Sequence, residues 1–135
     1  MTSTIIPTLR YRNAPAIINW LCDVFGFSRR MIIEDGEGGV AHAQLVLGGG
    51  MVMLGSWRDD DFGRQLRDPR DGSTGCPYLV VTDVDAVHAR VAAAGGVVFS
   101  PLRDETYGGR GFGCRDLEGH IWYVGSYDPW AETTG

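Results

Sequence analysis

Two groups of side chains in this sequence have types and spacing that suit the binding of a small molecule. His42 and Gln44 lie two residues apart in the run VAHAQLVL, and positions two apart share one face of a β-strand. The second group lies around a Gly-rich turn near the other end of the chain and comprises Tyr107, Arg110, Phe112 and Tyr123. Histidine transfers protons near neutral pH, arginine binds carboxylate or phosphate, and aromatic rings bind flat or cationic molecules.

Each of these residues also has a purely structural interpretation. A lone histidine such as His42 is more often a hydrogen-bonded strand residue than a catalyst, and Phe112 can be a core side chain. Met53 can be a gap filler in the core. Arg110 can be an ion-pair partner of Asp104, Asp116 or Glu118. Both interpretations stay open at this point.

The elements that must position these side chains occur as a series that is repeated. A strand over residues 4–11 precedes a helix that Asn13 caps and Gly26 ends, followed by a strand over 27–34 and a hairpin over 40–56. The second series has a strand over 76–82, a helix after Asp83, a strand over 97–100 and a hairpin with a turn at Glu118-Gly119.

A shift of 70 residues superimposes the two series and aligns His42 with Phe112 and Met53 with Tyr123. The repeat predicts an α+β fold of two tandem βαβββ modules, with a curled mixed sheet around a cavity and the helices outside. We expect one domain over residues 1–135, with module one over about 3–57, module two over about 76–128 and a short C-terminal tail.

The segment between the modules, residues 58–75, reads as a linker with a short helical turn over 62–66. Its run Asp59-Asp60-Asp61 is typical of a solvated loop, because it lacks the spaced oxygen ligands of a calcium loop.

Strand alternation predicts which side chains face the cavity. Trp122 is expected on the opposite face, under a helix. The predicted cavity-facing residues are His42, Gln44, Met53, Phe112, Cys114 and Tyr123.

The composition excludes several classes of partner. The net charge is −5 and there is no Lys/Arg-rich run, so no nucleic-acid partner is expected. No apolar run approaches the roughly 20 residues of a membrane span, and no signal peptide is expected. The three cysteines are odd in number and lack metal-like spacing, which predicts buried thiols in a reducing cytoplasm.

Three blocks give the chain a resemblance to the vicinal oxygen chelate superfamily, which includes glyoxalase I, bleomycin-resistance proteins and extradiol dioxygenases. The blocks are RYRNAPAIINWLCDVFGF, VTDVDAVHARVAAAGG and YGGRGFGCRDLEGHIWYVGSY, although Leu117 replaces the usual proline after the aspartate of the last turn.

The resemblance implies that metal-using members hold a divalent ion through the first and last strands of each module. Those positions are Ile6, Met53, Pro77 and Tyr123 here, and nearby alternatives are Thr8, Arg10, Met51 and Tyr78. None of these is a histidine or a carboxylate, so we predict no metal and no other cofactor.

The resemblance to metal-free members therefore implies a cytoplasmic, homodimeric, metal-independent small-molecule binding protein that sequesters a drug-like ligand. The predicted ligand-binding residues are Thr8, His42, Gln44, Met53, Trp57, Tyr107, Arg110, Phe112 and Tyr123. The alternative is a lyase, isomerase or dioxygenase-like enzyme with an atypical or absent metal site, in which His42 is the base and Arg110 holds an anionic substrate. A scaffold domain without a ligand is a third possibility.

Overall fold

The computed structural model describes residues 3–131 and has an α+β fold of two βαβββ modules, which confirms the predicted fold class. The chain divides into two compact units, residues 1–71 and 72–135, and the boundary falls within the predicted linker. Each unit holds one module with its own four-stranded mixed sheet. No helix in the described part of the chain is long and apolar enough to cross a membrane.

Module one has the strand order β1-β4-β3-β2, in which β1 and β4 are parallel and the other pairs are antiparallel. Its elements are β1 (Thr8–Tyr11), α1 (Ala14–Phe25), β2 (Ser28–Glu34), β3 (Val40–Leu47) and β4 (Gly50–Ser56).

Helix α1 begins where the sequence predicts. The side chain of Asn13 accepts a hydrogen bond from the backbone N–H of Ala16 at 3.2 Å. The helix ends at Gly26, whose φ of 90° is in the left-handed region that glycine adopts easily. One face of the sheet is buried with the helix and includes Ala43, Leu45, Val52 and Leu54.

Module two repeats this arrangement, with the strand order β5-β8-β7-β6. Its elements are β5 (Tyr78–Val80), α2 (Val84–Ala93), β6 (Val97–Asp104), β7 (Arg110–Arg115) and β8 (Ile121–Gly125). Its buried core comprises Leu79, Val84, Val87, Val91, Phe112, Cys114, Trp122 and Val124.

The turn between β7 and β8 is organised by Asp116, which is only 4% exposed. One carboxylate oxygen accepts hydrogen bonds from the backbone N–H groups of Glu118 (3.0 Å) and His120 (3.1 Å). The other accepts from Nε1 of Trp122 at 3.0 Å, in a fully buried contact. Gly119 has a φ of 93°, as the predicted glycine turn requires. The prediction that Trp122 packs away from Tyr123 is confirmed, because the Trp122 side chain is in the core.

The first part of the linker is folded against module one. Two short 3₁₀ helices, Gly63–Gln65 and Pro69–Asp71, lie within it, and the first confirms the predicted helical turn. Asp60 accepts hydrogen bonds from both terminal nitrogens of Arg10, at 3.2 and 3.1 Å, and one from the backbone N–H of Gly63 at 2.7 Å. The Arg10 guanidinium also lies 4.9 Å from the centre of the Phe62 ring.

The aspartate run is solvated as predicted, but Asp60, which is 39% exposed, also has a structural role that the sequence did not indicate. The hydrogen bonds from Arg10, and then the one from Gly63, lower the pKa of Asp60 to about 2. The partner of Asp60 is Arg10, fifty positions away in sequence, and a pattern of neighbouring residues cannot predict such a pair.

Three other expectations need correction. Residues 4–7 are not part of β1, because strand pairing starts where the carbonyl of Pro7 accepts from the N–H of Met53. Strand β6 extends to Asp104, well beyond the predicted residue 100. Of the three cysteines only Cys114 is buried, whereas Cys22 is partly buried and Cys76 is exposed. The predicted C-terminal tail lies partly outside the described residues.

Candidate functional site

The open face of the module-one sheet, opposite α1, carries three of the predicted site residues in one row. Strand register places Thr8 beside Met53, Met53 beside Gln44, and Gln44 beside Met31. Neighbours of this kind are in side-chain contact distance across a sheet. The row is partly exposed and mixes thioether, amide and hydroxyl groups, as small-molecule sites commonly do.

A series of side-chain hydrogen bonds crosses the same face and determines the tautomer of His42. Arg30 donates from Nη1 to the side-chain amide oxygen Oε1 of Gln44 at 2.7 Å, and Nε2 of Gln44 lies 3.1 Å from Nε2 of His42. Because arginine only donates, the amide of Gln44 must turn its NH₂ toward His42. The ring of His42 therefore accepts at Nε2 and, when neutral, carries its proton on Nδ1.

In module two, glycines lie where the open face of the sheet would otherwise carry side chains. Gly111 pairs with Gly125, and Gly113 pairs with Tyr123, in the middle of the sheet. A Cβ at Gly113 would lie 2.6 Å from Cζ of Phe99, and one at Gly125 would lie 2.5 Å from the hydroxyl of Tyr78. The rings of Phe99 and Tyr78 thus rest on bare backbone, which only glycine permits at those positions.

Further aromatic side chains and one carboxylate complete this open face. The hydroxyl of Tyr123 donates to Glu105 at 2.8 Å, and the Tyr123 ring is stacked on that of Tyr78 with a centroid distance of 6.3 Å. Tyr78 donates to the backbone carbonyl of Tyr127 at 2.8 Å, and Tyr127 contacts Tyr107 edge to face at 5.1 Å. Burial and then the neighbouring Tyr107 and Glu105 raise the pKa of Tyr78, so its phenol stays neutral at neutral pH.

The predicted cavity-facing position of Phe112 and Cys114 is wrong. Both side chains are 0% exposed, and the Phe112 ring lies 5.0 Å from the ring of His88 on α2. The uniform shift of 70 residues causes the error. Tyr123 opposes Gly113 just as Met53 opposes Gln44, so β7 matches β3 with a shift of 69. A slip of one residue moves every side chain of a strand to the other face.

Two more predicted ligand residues, Arg110 and Trp57, form hydrogen bonds with nearby residues of the protein itself. Arg110 donates to Asp85 at 3.0 Å and to Asp104 at 3.2 Å, so the structural interpretation of this arginine is the one observed. Asp85 was not among the expected partners. The indole of Trp57 donates to the carbonyl of Gly63 at 3.2 Å and stabilises the first part of the linker, while 48% of the residue stays exposed.

The positions that would hold a divalent ion do not fit one. The parallel pairs at the matching edges of the two sheets are Thr8 with Met53 and Tyr78 with Tyr123, so Thr8 and Tyr78 take the places assigned to Ile6 and Pro77. Neither pair contains a histidine or an acidic residue, whose imidazole or carboxylate groups are the usual protein ligands of Zn²⁺, Mn²⁺ and Ni²⁺. Within residues 3–131, no three His, Cys, Asp or Glu side chains are placed to share an ion.

Sequence reasoning missed several residues of the open faces: Arg30, Met31, Phe99, Glu105 and Tyr127. The signal for part of this set is the spacing of Gly111, Gly113 and Gly125 inside strands. Glycine weakens a strand and commonly marks a place where another group approaches the backbone closely.

A separate cavity of about 510 Å³ lies in module one, between α1, β2 and the loop that follows β2. Its lining includes Ile18, Ile32 and Val40 together with Arg29 and Glu34. None of the predicted ligand-binding residues lines it, and Arg29 is hydrogen-bonded to Asn19 at its edge.

Comparison with known proteins gives consistent results. TioX from Micromonospora sp. ML1 has a solved structure that is 32% identical, with a TM-score of 0.68 over 92% of this chain and 98% of that one. An uncharacterised protein of Mycobacterium bovis is 30% identical over 121 residues, which is 88% of this chain and 80% of the relative. The fosfomycin resistance protein FosX from Listeria monocytogenes is 14% identical with a TM-score of 0.71, over 96% of each chain, and shares the fold alone.

The family model that matches spans almost all of both modules. It is described as the Glyoxalase/Bleomycin resistance protein/Dioxygenase superfamily and matches residues 5–124. The repeated βαβββ modules, the register of their sheets and this match together show that the chain belongs to the glyoxalase/bleomycin resistance protein/dioxygenase superfamily.

Proposed function

We propose that this protein binds a small molecule without a metal ion and acts by sequestering it. The observation that carries the proposal is the open face of the module-two sheet, where the rings of Phe99, Tyr78 and Tyr123 lie on or beside a floor of glycines. Exposed rings that are held by backbone shape and by a hydrogen bond are preorganised for contact with a flat ligand. The family description includes bleomycin resistance, which is compatible with sequestration.

The enzymatic alternative has less support from the same side chains. The candidate base, His42, already accepts the amide of Gln44 at Nε2, and a general base needs a free acceptor nitrogen. The candidate anion binder, Arg110, is already paired with two carboxylates. The edge positions that would supply a Lewis acid carry hydroxyl, thioether and phenol groups.

The direct test is a ligand screen by two-dimensional NMR in the presence of EDTA. We expect flat aromatic compounds to shift the amide signals of Gly111, Gly113 and Tyr123, with an affinity that added Mn²⁺ or Ni²⁺ does not change. Tyr123→Ala should weaken binding by about fivefold to tenfold, since the loss of one ring contact costs about 1 to 1.5 kcal/mol. Trp130→Ala is the matched control, because this aromatic residue is 94% exposed and lies outside the sheet. A ligand that binds only with a divalent ion, or turnover of a substrate without stable binding, would overturn the proposal.

A homodimer is part of the same proposal. Strand β2 is an edge strand whose residues are all exposed, and it presents Met31, Ile32 and Ile33 with exposures of 41%, 37% and 49%. Exposed apolar edge strands favour pairing with another chain. Light scattering after size exclusion should give twice the chain mass, and Ile33→Lys should lower the measured mass. A monomer at micromolar concentration would contradict the proposed homodimer.

The cytoplasmic location stays a prediction, which fractionation of the source cells would check.

A further inference from the structure

The open face of module two also indicates the charge of its ligand. Strands β6 and β7 are joined by a turn in which the N–H of Glu105 bonds the carbonyl of Gly109 at 2.9 Å. Gly109 has a φ of 68°, and a Cβ there would lie 2.7 Å from the backbone nitrogen of Tyr127. The glycine therefore lets the turn pack directly against the segment after β8. This packing brings the side chains of Glu105 and Tyr107 to the tyrosines of the sheet.

Glu105 thus lies beside a group of four linked tyrosines: Tyr123 donates to its carboxylate, Tyr78 is stacked on Tyr123, and Tyr127 contacts both Tyr78 and Tyr107. We call this group the tyrosine cage. Tyr78 and Tyr107 are 36% and 54% exposed, so two of its rings can be reached from solvent. Gly111 lies beneath it, where a Cβ would be 3.3 Å from a carboxylate oxygen of Glu105 and 3.4 Å from the Tyr123 ring.

The charge of Glu105 is not neutralised within the described residues. Its side chain accepts from the neutral hydroxyl of Tyr123, and it forms no salt bridge there. Arg110 is bound by Asp85 and Asp104. Arg103 donates to the neutral hydroxyl of Ser100 at 3.0 Å and is close enough to act electrostatically on the phenol of Tyr107, but it forms no salt bridge with Glu105. A carboxylate close to aromatic rings attracts a positive charge by direct Coulomb attraction, and the π-systems of the rings add to it.

We propose that the tyrosine cage binds the ammonium group of an organic cation, such as a quaternary or protonated amine carried by the ligand. The inference rests on the proposed binding function and adds the chemical class of the ligand. An anionic ligand is disfavoured because Glu105 repels it, and a small inorganic cation is disfavoured because phenol rings and one carboxylate leave most of its coordination shell unfilled. The net charge of −5 adds long-range attraction for a cation.

The test uses two probes of the same shape and different charge, (4-hydroxyphenyl)trimethylammonium and 4-tert-butylphenol, each titrated into the full chain and followed by NMR. We expect the cation to bind at least about fivefold more tightly, because cation–π contacts and the carboxylate both favour it over the neutral probe. Glu105→Gln keeps an acceptor for Tyr123 and removes only the charge, so it should reduce the preference to the smaller share that the rings contribute. Glu37→Gln removes an equal charge from an exposed loop of module one and should leave the preference intact.

The outcomes separate this inference from the proposed function. Equal binding of both probes, or a preference that Glu105→Gln leaves unchanged, overturns the ammonium site and leaves the proposed function standing. The same holds if neither probe binds while other compounds from the ligand screen do. If no compound binds in either experiment, both proposals fail. Tyr107→Ala, a change at an exposed ring, is the second variant if Glu105→Gln does not fold, and it should weaken the cation more than the neutral probe.

Discussion

Replacing Asp116 by alanine should destabilise module two more than almost any other single polar substitution. The carboxylate accepts three hydrogen bonds, from the N–H groups of Glu118 and His120 and from the indole of Trp122. The indole is fully buried, so without its acceptor it loses a hydrogen bond that water does not replace, at about 1 to 3 kcal/mol. The two backbone donors are partly buried and can turn to water, at about 1 kcal/mol each. The total is about 3 to 5 kcal/mol, a large share of the 5 to 15 kcal/mol typical of a whole domain.

The assay is urea denaturation of a double-mutant cycle. Asp116→Ala, Trp122→Phe and the double variant are compared with the parent chain, because Trp122→Phe removes the orphaned donor. The double variant should be more stable than the sum of the single changes predicts, by about 1 to 3 kcal/mol. Asp116→Asn should fall between parent and alanine variant, since one of its two carboxylate oxygens becomes a donor. Additivity within about 0.5 kcal/mol would refute the reasoning, because it would mean that the buried contact contributes nothing specific.

Two further predictions concern titratable groups. The pKa of Asp60 is lowered from 3.8 to about 2 in the folded chain, so the stability from its contact with Arg10 is present above pH 3.8 and is lost as the pH falls toward about 2. Acid unfolding followed by circular dichroism should therefore show a smaller loss in Asp60→Asn than in the parent over that range, and parallel curves would contradict it. Burial is the main cause that raises the pKa of the Cys114 thiol to about 12, whereas Cys76 is exposed. Alkylation at pH 8 followed by peptide mass spectrometry should label Cys76 first and Cys114 only in denaturant, and equal rates would show that the β7 core opens.

The elements of this fold could be predicted from local signals. Asn13 and Asp83 cap the two helices as expected, and strand β3 has the predicted bounds, because caps and alternation are properties of a few neighbouring residues. The limits of β1, β5 and β6 were less well predicted. Strand ends depend on which partner strand supplies hydrogen bonds, and that information is not local.

The site was predicted only in part, because the pairing register of the strands in module two differs from the one assumed. Alternation correctly placed Gln44 and Met53 on one face, since the two strands of their hairpin follow each other directly. The same rule failed for Phe112 because the repeat was assumed to have one constant offset, whereas the second hairpin is one residue longer: Gln44 pairs with Met53, nine residues on, and Gly113 pairs with Tyr123, ten residues on. Glu105 was missed because it lies in a turn, and its contact with Tyr123 depends on the path of that turn.

The glycine floor beneath the rings of module two has a consequence for how this protein can be studied. A glycine in an ordinary strand carries an entropic cost of roughly 0.5 to 1 kcal/mol relative to alanine, so Gly111, Gly113 and Gly125 together carry about 1.5 to 3 kcal/mol, although a Cβ at these positions would clash with neighbouring groups. A ligand present at a hundred times its dissociation constant stabilises the native state by about 2.7 kcal/mol, which is an effect of the same size. The melting temperature should therefore be a sensitive detector of the proposed ligand in fractionated cell extracts, before its chemical identity is known.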